Sequence, residues 1–193
     1  MEAALSVALG IGLAAACGFR VFVPLLVVSI ASLAGWLPLA GGFEWIATIP
    51  ALIAFATATV IEVAAYYVTW LDHVLDVVAS PAAVLCGVIA AASVITDLPP
   101  VVRWSVAIIG GGGAAGLVQG ATVLVRLKSA ALTGGLANPL VATAELFGSA
   151  MTSLLALLMP LAAVLLIALL CIAVFAMSGR FLFGRPSEPP PSP

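Results

Sequence analysis

The residues best suited to chemistry in this chain are carboxylates in apolar surroundings. Glu62, Tyr66, Thr69, His73 and Asp76 follow one another at steps of four, three, four and three residues, which sets them on one narrow face of a helix. Their neighbours are mostly Ala, Val, Ile, Phe and Leu. A carboxylate there is costly unless it is paired or has a function. A second stripe, Asn138, Glu145, Ser149 and Thr152, is spaced by seven, four and three residues and also lies on one face. Arg20 and Arg126 are the cations nearest to mid-span or span-end positions, and Gln119 shares a face with Arg126. Two acids and two arginines could line a polar cavity for an ion, a proton or a small polar solute. Glu62 would be central there, with Tyr66, Thr69 and Glu145 as walls. The same residues also fit charge-paired struts, because an unpaired charge in hydrocarbon costs several kcal/mol.

Asp72, His73 and Asp76 form a compact cluster, with His73 and Asp76, and likewise Asp72 and Asp76, on a common face. Carboxylates and an imidazole at this spacing are weak candidates for a divalent metal. A wet helix end at the membrane surface produces the same pattern and is the preferred reading. Gly112, Gly116 and Gly120 recur every four residues, as do Gly10, Ala14 and Gly18, the pattern that lets membrane helices approach closely. Such faces suit packing within the subunit or in a homo-oligomer. Gly110 to Gly113 do not form a phosphate loop, because no Lys-Ser/Thr follows and the run lies in an apolar segment.

These residues must be positioned by membrane helices. Charged residues are 7% of the 193 and hydrophobic ones 64%, against roughly 25% charged in a soluble domain. The chain lacks the polar side chains to cover itself in water, so its solvent is lipid. A net charge of -2 gives no basis for binding nucleic acid. Cys17, Cys86 and Cys171 share no spacing motif and read as packing residues. Ala14 to Gly18 loosely resembles a lipoprotein cleavage site. The only early charge is Glu2, however, and the apolar run continues far beyond Cys17, so an uncleaved span is expected. No cofactor is expected.

Hydropathy divides the chain into an all-α polytopic bundle over residues 1–180 and a Pro-rich, disordered tail over 181–193. Five spans form the base reading, with six or seven as alternatives. The first, from Ala3 to about Ala34, is expected to kink or break between Gly18 and Pro24. The others run from about Ile46 to Trp70, Pro81 to Thr96, Val102 to Val125 and Pro139 to Met177, with Ser80-Pro81 as a helix start and Pro160 marking a kink or a tight hairpin. Five spans would set Arg103, Arg180 and Arg185 opposite Arg126 and Lys128, slightly favouring a cytoplasmic C-terminus.

Several motifs also carry a likeness: Glu62-Val63-Ala64-Ala65-Tyr66-Tyr67, Leu71-Asp72-His73-Val74-Leu75-Asp76 and Ser80-Pro81-Ala82-Ala83, then the Gly-rich fourth span and Thr133 to Pro139 followed by Glu145. In this order they resemble the bacterial membrane family known as domain of unknown function 4126, over nearly the whole chain except the tail. The resemblance implies a small multi-pass protein of the bacterial inner membrane and no particular activity. Many members carry an Asp-Lys pair where this chain has Tyr66-Tyr67. The expectation is a transporter- or channel-like protein in the bilayer, moving an ion or small polar solute. A metal-dependent enzyme acting on lipid head groups ranks below it, because paired Asp motifs, a nucleophile elbow and a zinc-peptidase signature are lacking. A non-catalytic assembly or scaffold protein is the third reading.

Overall fold

A computed structural model of the chain describes the backbone of residues 3–66 and 69–182, and the side chains of residues 3–66, 77–174 and 176. The side chains of Thr69, Asp72, His73, Asp76 and Arg180, and residues 183–193 of the Pro-rich tail, therefore lie outside the described residues.

Every regular element among the described residues is helical. In chain order they are α1 (Ala3–Cys17), α2 (Val23–Leu33), a 3-10 turn (Glu44–Ala47), α3 (Ile49–Tyr66) and α4 (Thr69–Val94). Then come α5 (Pro100–Val106) and α6 (Gly113–Thr133), joined by a π-helical stretch (Ala107–Gly112), and finally α7 (Asn138–Leu158) and α8 (Pro160–Leu182). Segments long and apolar enough to cross a membrane are Ile49–Tyr66, Val77–Val94, Pro100–Thr133 and Asn138–Leu158. Ala3–Cys17 and Val23–Leu33 are apolar but shorter, and the part of α8 with described side chains, Pro160–Val174, is apolar as well. The fold is an all-α bundle of the polytopic membrane kind.

The first apolar run is broken where Gly18 and Pro24 led one to expect it, and the break reverses the chain. A Cβ at Gly10 would touch Ala91, and one at Gly18 would meet Ala115, Val118 and Gln119, so α1 runs beside α4 and α6. Beyond the break, Ser29 Oγ donates to the carbonyl of Ile46, and Ala40 N–H donates to the carbonyl of Ser93 at the far end of α4. Arg103 Nη2 donates to the carbonyl of Gly41 at the same end. α2 thus returns to the end of the bundle where α1 began. Together they form a hairpin whose tip reaches about half way along the 34-residue Pro100–Thr133 helix.

α1 is the hub of the bundle, packed against α4, α6, α7 and α8. Its residues Leu13 to Cys17 are fully buried. Small residues make this possible: added Cβ atoms would fall 2.9 Å from Ala156 at Gly12, 2.6 Å from Ala115 at Gly87 and 2.7 Å from Ala91 at Gly111. The Gly112, Gly116 and Gly120 row lies differently. Gly112 and Gly116 face Val84 and Val88 within the same chain, and a Cβ at Gly120 would meet nothing within 4 Å among the described residues. Among the glycines of this helix the tightest contact is one residue over, at Gly111, where it passes through a π-helical turn.

One boundary, at Pro81, differs from the sequence reading, and at Pro160 one of its two alternatives is found. Pro81 lies inside α4 instead of starting it. At Pro160 the chain turns back as a tight hairpin. Gly12 touches both Ala156 and Ala163, while Ile167 and Cys171 pack beside Ala15 and Phe19, so α8 descends antiparallel to α7. The end of α8 therefore joins Arg126 and Lys128 rather than Arg103, which corrects the charge tally.

Candidate functional site at the helix break

Breaking a helix frees backbone groups that hydrocarbon cannot satisfy, so a side chain must meet them. At the start of α2 that side chain is Glu62. Its Oε1 accepts the Val21 N–H at 2.8 Å and its Oε2 accepts the Phe22 N–H at 3.2 Å. Pro24, the second residue of α2, has no N–H to satisfy. The amide-rich start of a helix favours negative charge, so the carboxylate and α2 stabilise each other. On the other side of the break, Ser149 Oγ donates to the carbonyl of Ala16 at 3.0 Å.

The break also places Arg20, which is 1% exposed. Its Nη2 donates to the carbonyl of Ala142 at 2.7 Å and lies 3.5 Å from Glu145 Oε2. Glu145 in turn is gripped by both ends of the Arg126 guanidinium: Nε donates to Oε1 at 2.8 Å and Nη2 donates to Oε2. This bidentate geometry is the strong form of the Arg–carboxylate pair. The guanidinium carbons of Arg20 and Arg126 each lie 4.0 Å from the centre of the Tyr66 ring, within cation–π range. Helices α3, α6 and α7 and the α1–α2 connection meet in this one cluster.

The two intramembrane acids therefore differ. Glu145 is paired with guanidinium. Glu62 is held by backbone amides, and among the described residues no cation lies within 4 Å of its oxygens. They also face different cavities. Glu62 and Tyr66 line a cavity of about 430 Å³, otherwise walled by Val21, Phe22, Ala58, Ile61, Ala65, Val78 and Ala79. Glu145 borders a smaller one of about 160 Å³ whose walls include Phe19, Val118, Thr122 and Cys171.

Other candidates lie at the margin. Gln119 is buried, and its Nε2 donates to Ser80 Oγ at 3.5 Å. Asn138 is buried at the start of α7, two turns before Glu145. Thr69, Asp72, His73 and Asp76 fall outside the described side chains, and no cluster of metal-binding residues occurs among the described residues. Sequence reasoning missed the Val21 and Phe22 amides, the Ala142 carbonyl and the alanines of the larger cavity. The Gly18 to Pro24 break was the available signal for the amides. Nothing in the Ala-rich stretches marked the cavity.

The fold and this cluster define a small helical-bundle membrane protein with a broken helix capped by an intramembrane carboxylate. The chain belongs to the family described as Domain of unknown function (DUF4126), whose model matches residues 7–180. No curated protein and no solved structure matches it.

Proposed function

We propose that this protein is a transporter- or channel-like protein of the bacterial inner membrane that moves an ion or small solute, with Glu62 as the binding group. The observation that carries the proposal is the position of Glu62: it caps a half-helix inside the bundle and forms part of a cavity wall. Half-helix ends within membranes are used by transporters to hold ions and polar substrates, because only there can irregular backbone line a cavity. Glu145, Arg126, Arg20 and Tyr66 serve as the frame that holds α3, α6, α7 and the hairpin tip together. Such a frame fits the cost of burying charge, since each charge meets an opposite one or a π face.

Orientation follows from the basic residues. Lys128 and the end of α8 lie together at the end of the bundle opposite Arg103, so the positive-inside rule favours a cytoplasmic side for that end.

The test is exchange in proteoliposomes loaded with the pH dye pyranine. A sodium, potassium or tetraphenylphosphonium gradient should drive dye-reported proton movement with wild-type protein. Glu62→Gln should remove it. Movement that is unchanged in Glu62→Gln, or absent from wild type with every one of these ions, counts against the proposal.

A further inference from the structure

Resting on the reading of Glu62 as the binding group, we propose that the cavity beside it accepts a lipophilic organic cation: an apolar body bearing a single positive charge. At about 430 Å³ the cavity is in the range of small-molecule sites, roughly 300–1,000 Å³. Its described walls are Val, Phe, Ala and Ile side chains, with Glu62 and the Tyr66 ring as the polar features among the described residues. An inorganic cation needs a shell of about six or more oxygens when it is a hard divalent ion, and the described walls do not offer one. A hydrated polar solute would hold its water against hydrocarbon. An organic cation instead buries its own apolar surface on those walls and asks for one counter-charge.

Glu62 can supply that charge. A carboxylate has roughly four lone-pair sites, and the Val21 and Phe22 amides use two. The nearby Arg20 is turned toward Ala142, Glu145 and Tyr66, and no described cation neutralises Glu62 at contact distance. The mouth of the cavity is flanked by Ile61 and Val78, each 63% exposed, on the surface that faces lipid. A ligand dissolved in the bilayer reaches Glu62 by this route.

The experiment is calorimetric titration of the full-length protein in detergent with tetraphenylphosphonium. Wild type should bind one equivalent, and Glu62→Gln should bind about ten- to hundredfold more weakly, the loss of one charge-assisted contact. Ala65→Phe, which fills the cavity and leaves Glu62 in place, should lose binding while eluting as a folded, monodisperse species. Tetraphenylborate, of the same shape and opposite charge, should not bind. Equal binding of both probes, or undiminished binding in Glu62→Gln or Ala65→Phe, overturns the inference. Sodium-driven exchange without tetraphenylphosphonium binding overturns the ligand class and leaves the transport reading standing. Binding without movement of any ion upholds the ligand class and removes transport.

Discussion

The Glu62 carboxylate accepts the main-chain N–H of Val21 at 2.8 Å across 41 residues of sequence, so an acid on one membrane helix closes the break in another. With Phe22 as its second donor, Glu62 replaces the capping that α2 lacks from its own sequence, since Phe22 provides no side-chain cap. The cap and the cavity wall are the same carboxylate. A change in what Glu62 binds therefore acts directly on the tip of the α1–α2 hairpin.

Removing the cap should destabilise the fold in a graded way. Glu62→Ala leaves the buried Val21 amide and the half-buried Phe22 amide without this acceptor, at about 1–3 kcal/mol for a buried group, whereas Glu62→Gln keeps one carbonyl oxygen. Thermal unfolding in detergent should rank wild type above Gln and Gln above Ala. Equal stability of Ala and Gln would contradict the capping role.

The Arg126–Glu145 pair should show strong coupling. Arg126→Met or Glu145→Leu alone strands a buried charge and should cost about 3–5 kcal/mol, while the double substitution recovers part of it, since Arg20 still loses Glu145. Arg126→Lys should also destabilise, because an ammonium cannot grip both carboxylate oxygens in one plane. The measurement is a double-mutant cycle on unfolding. Additive losses would mean the pair does not act as a unit.

Gly18 in the α1–α2 connection and Gly120 on α6 have different surroundings and should respond differently. Gly18→Ala drives a Cβ to 2.5 Å from the Ala115 carbonyl oxygen, so folded protein should be lost or strongly reduced. Gly120→Ala meets nothing within 4 Å among the described residues and should be neutral or stabilising by about 0.5–1 kcal/mol, the helix preference of Ala over Gly. Yields after size-exclusion chromatography will separate the two.

The hairpin makes a topological prediction. In a background without native cysteines, Ala3→Cys and Trp36→Cys should react with an impermeant thiol reagent from one side of the membrane, together with Asp97→Cys. Leu136→Cys should react from the other side. Labelling of Ala3→Cys and Trp36→Cys from opposite sides would mean that the first apolar run crosses the membrane.

Periodicity alone put Glu62 and Tyr66 on one helical face and Glu145 and Ser149 on another, because side-chain direction in a helix follows from spacing. It also marked Arg20 and Arg126 as the counter-charges, since few cations occur in the apolar runs. Which acid each arginine meets was not legible, because pairing depends on how α6 and α7 fold together across Gly134 to Ala137. Chain direction was also hidden: hydropathy records that residues 3–34 are apolar and is silent on a reversal at Gly18. Spacing marks the close-packing Gly10, Gly18 and Gly112 and passes over Gly111. The four-residue rhythm of Gly112, Gly116 and Gly120 is clear in sequence, whereas the contact at Gly111 depends on the positions of Ala14, Gly87 and Ala91 in other helices.

With Glu62 open to a ligand and Glu145 locked by arginine, the two intramembrane acids should differ in reactivity, and carbodiimide modification tests that difference most directly. Membranes containing the protein would be treated with dicyclohexylcarbodiimide, an apolar reagent that attacks protonatable carboxyls, and the adduct mapped by mass spectrometry. The reagent should modify Glu62 through its lipid-facing cavity, leave Glu145 in its Arg126 grip, and be slowed by tetraphenylphosphonium. An adduct on Glu145, with Glu62 untouched, would contradict the account.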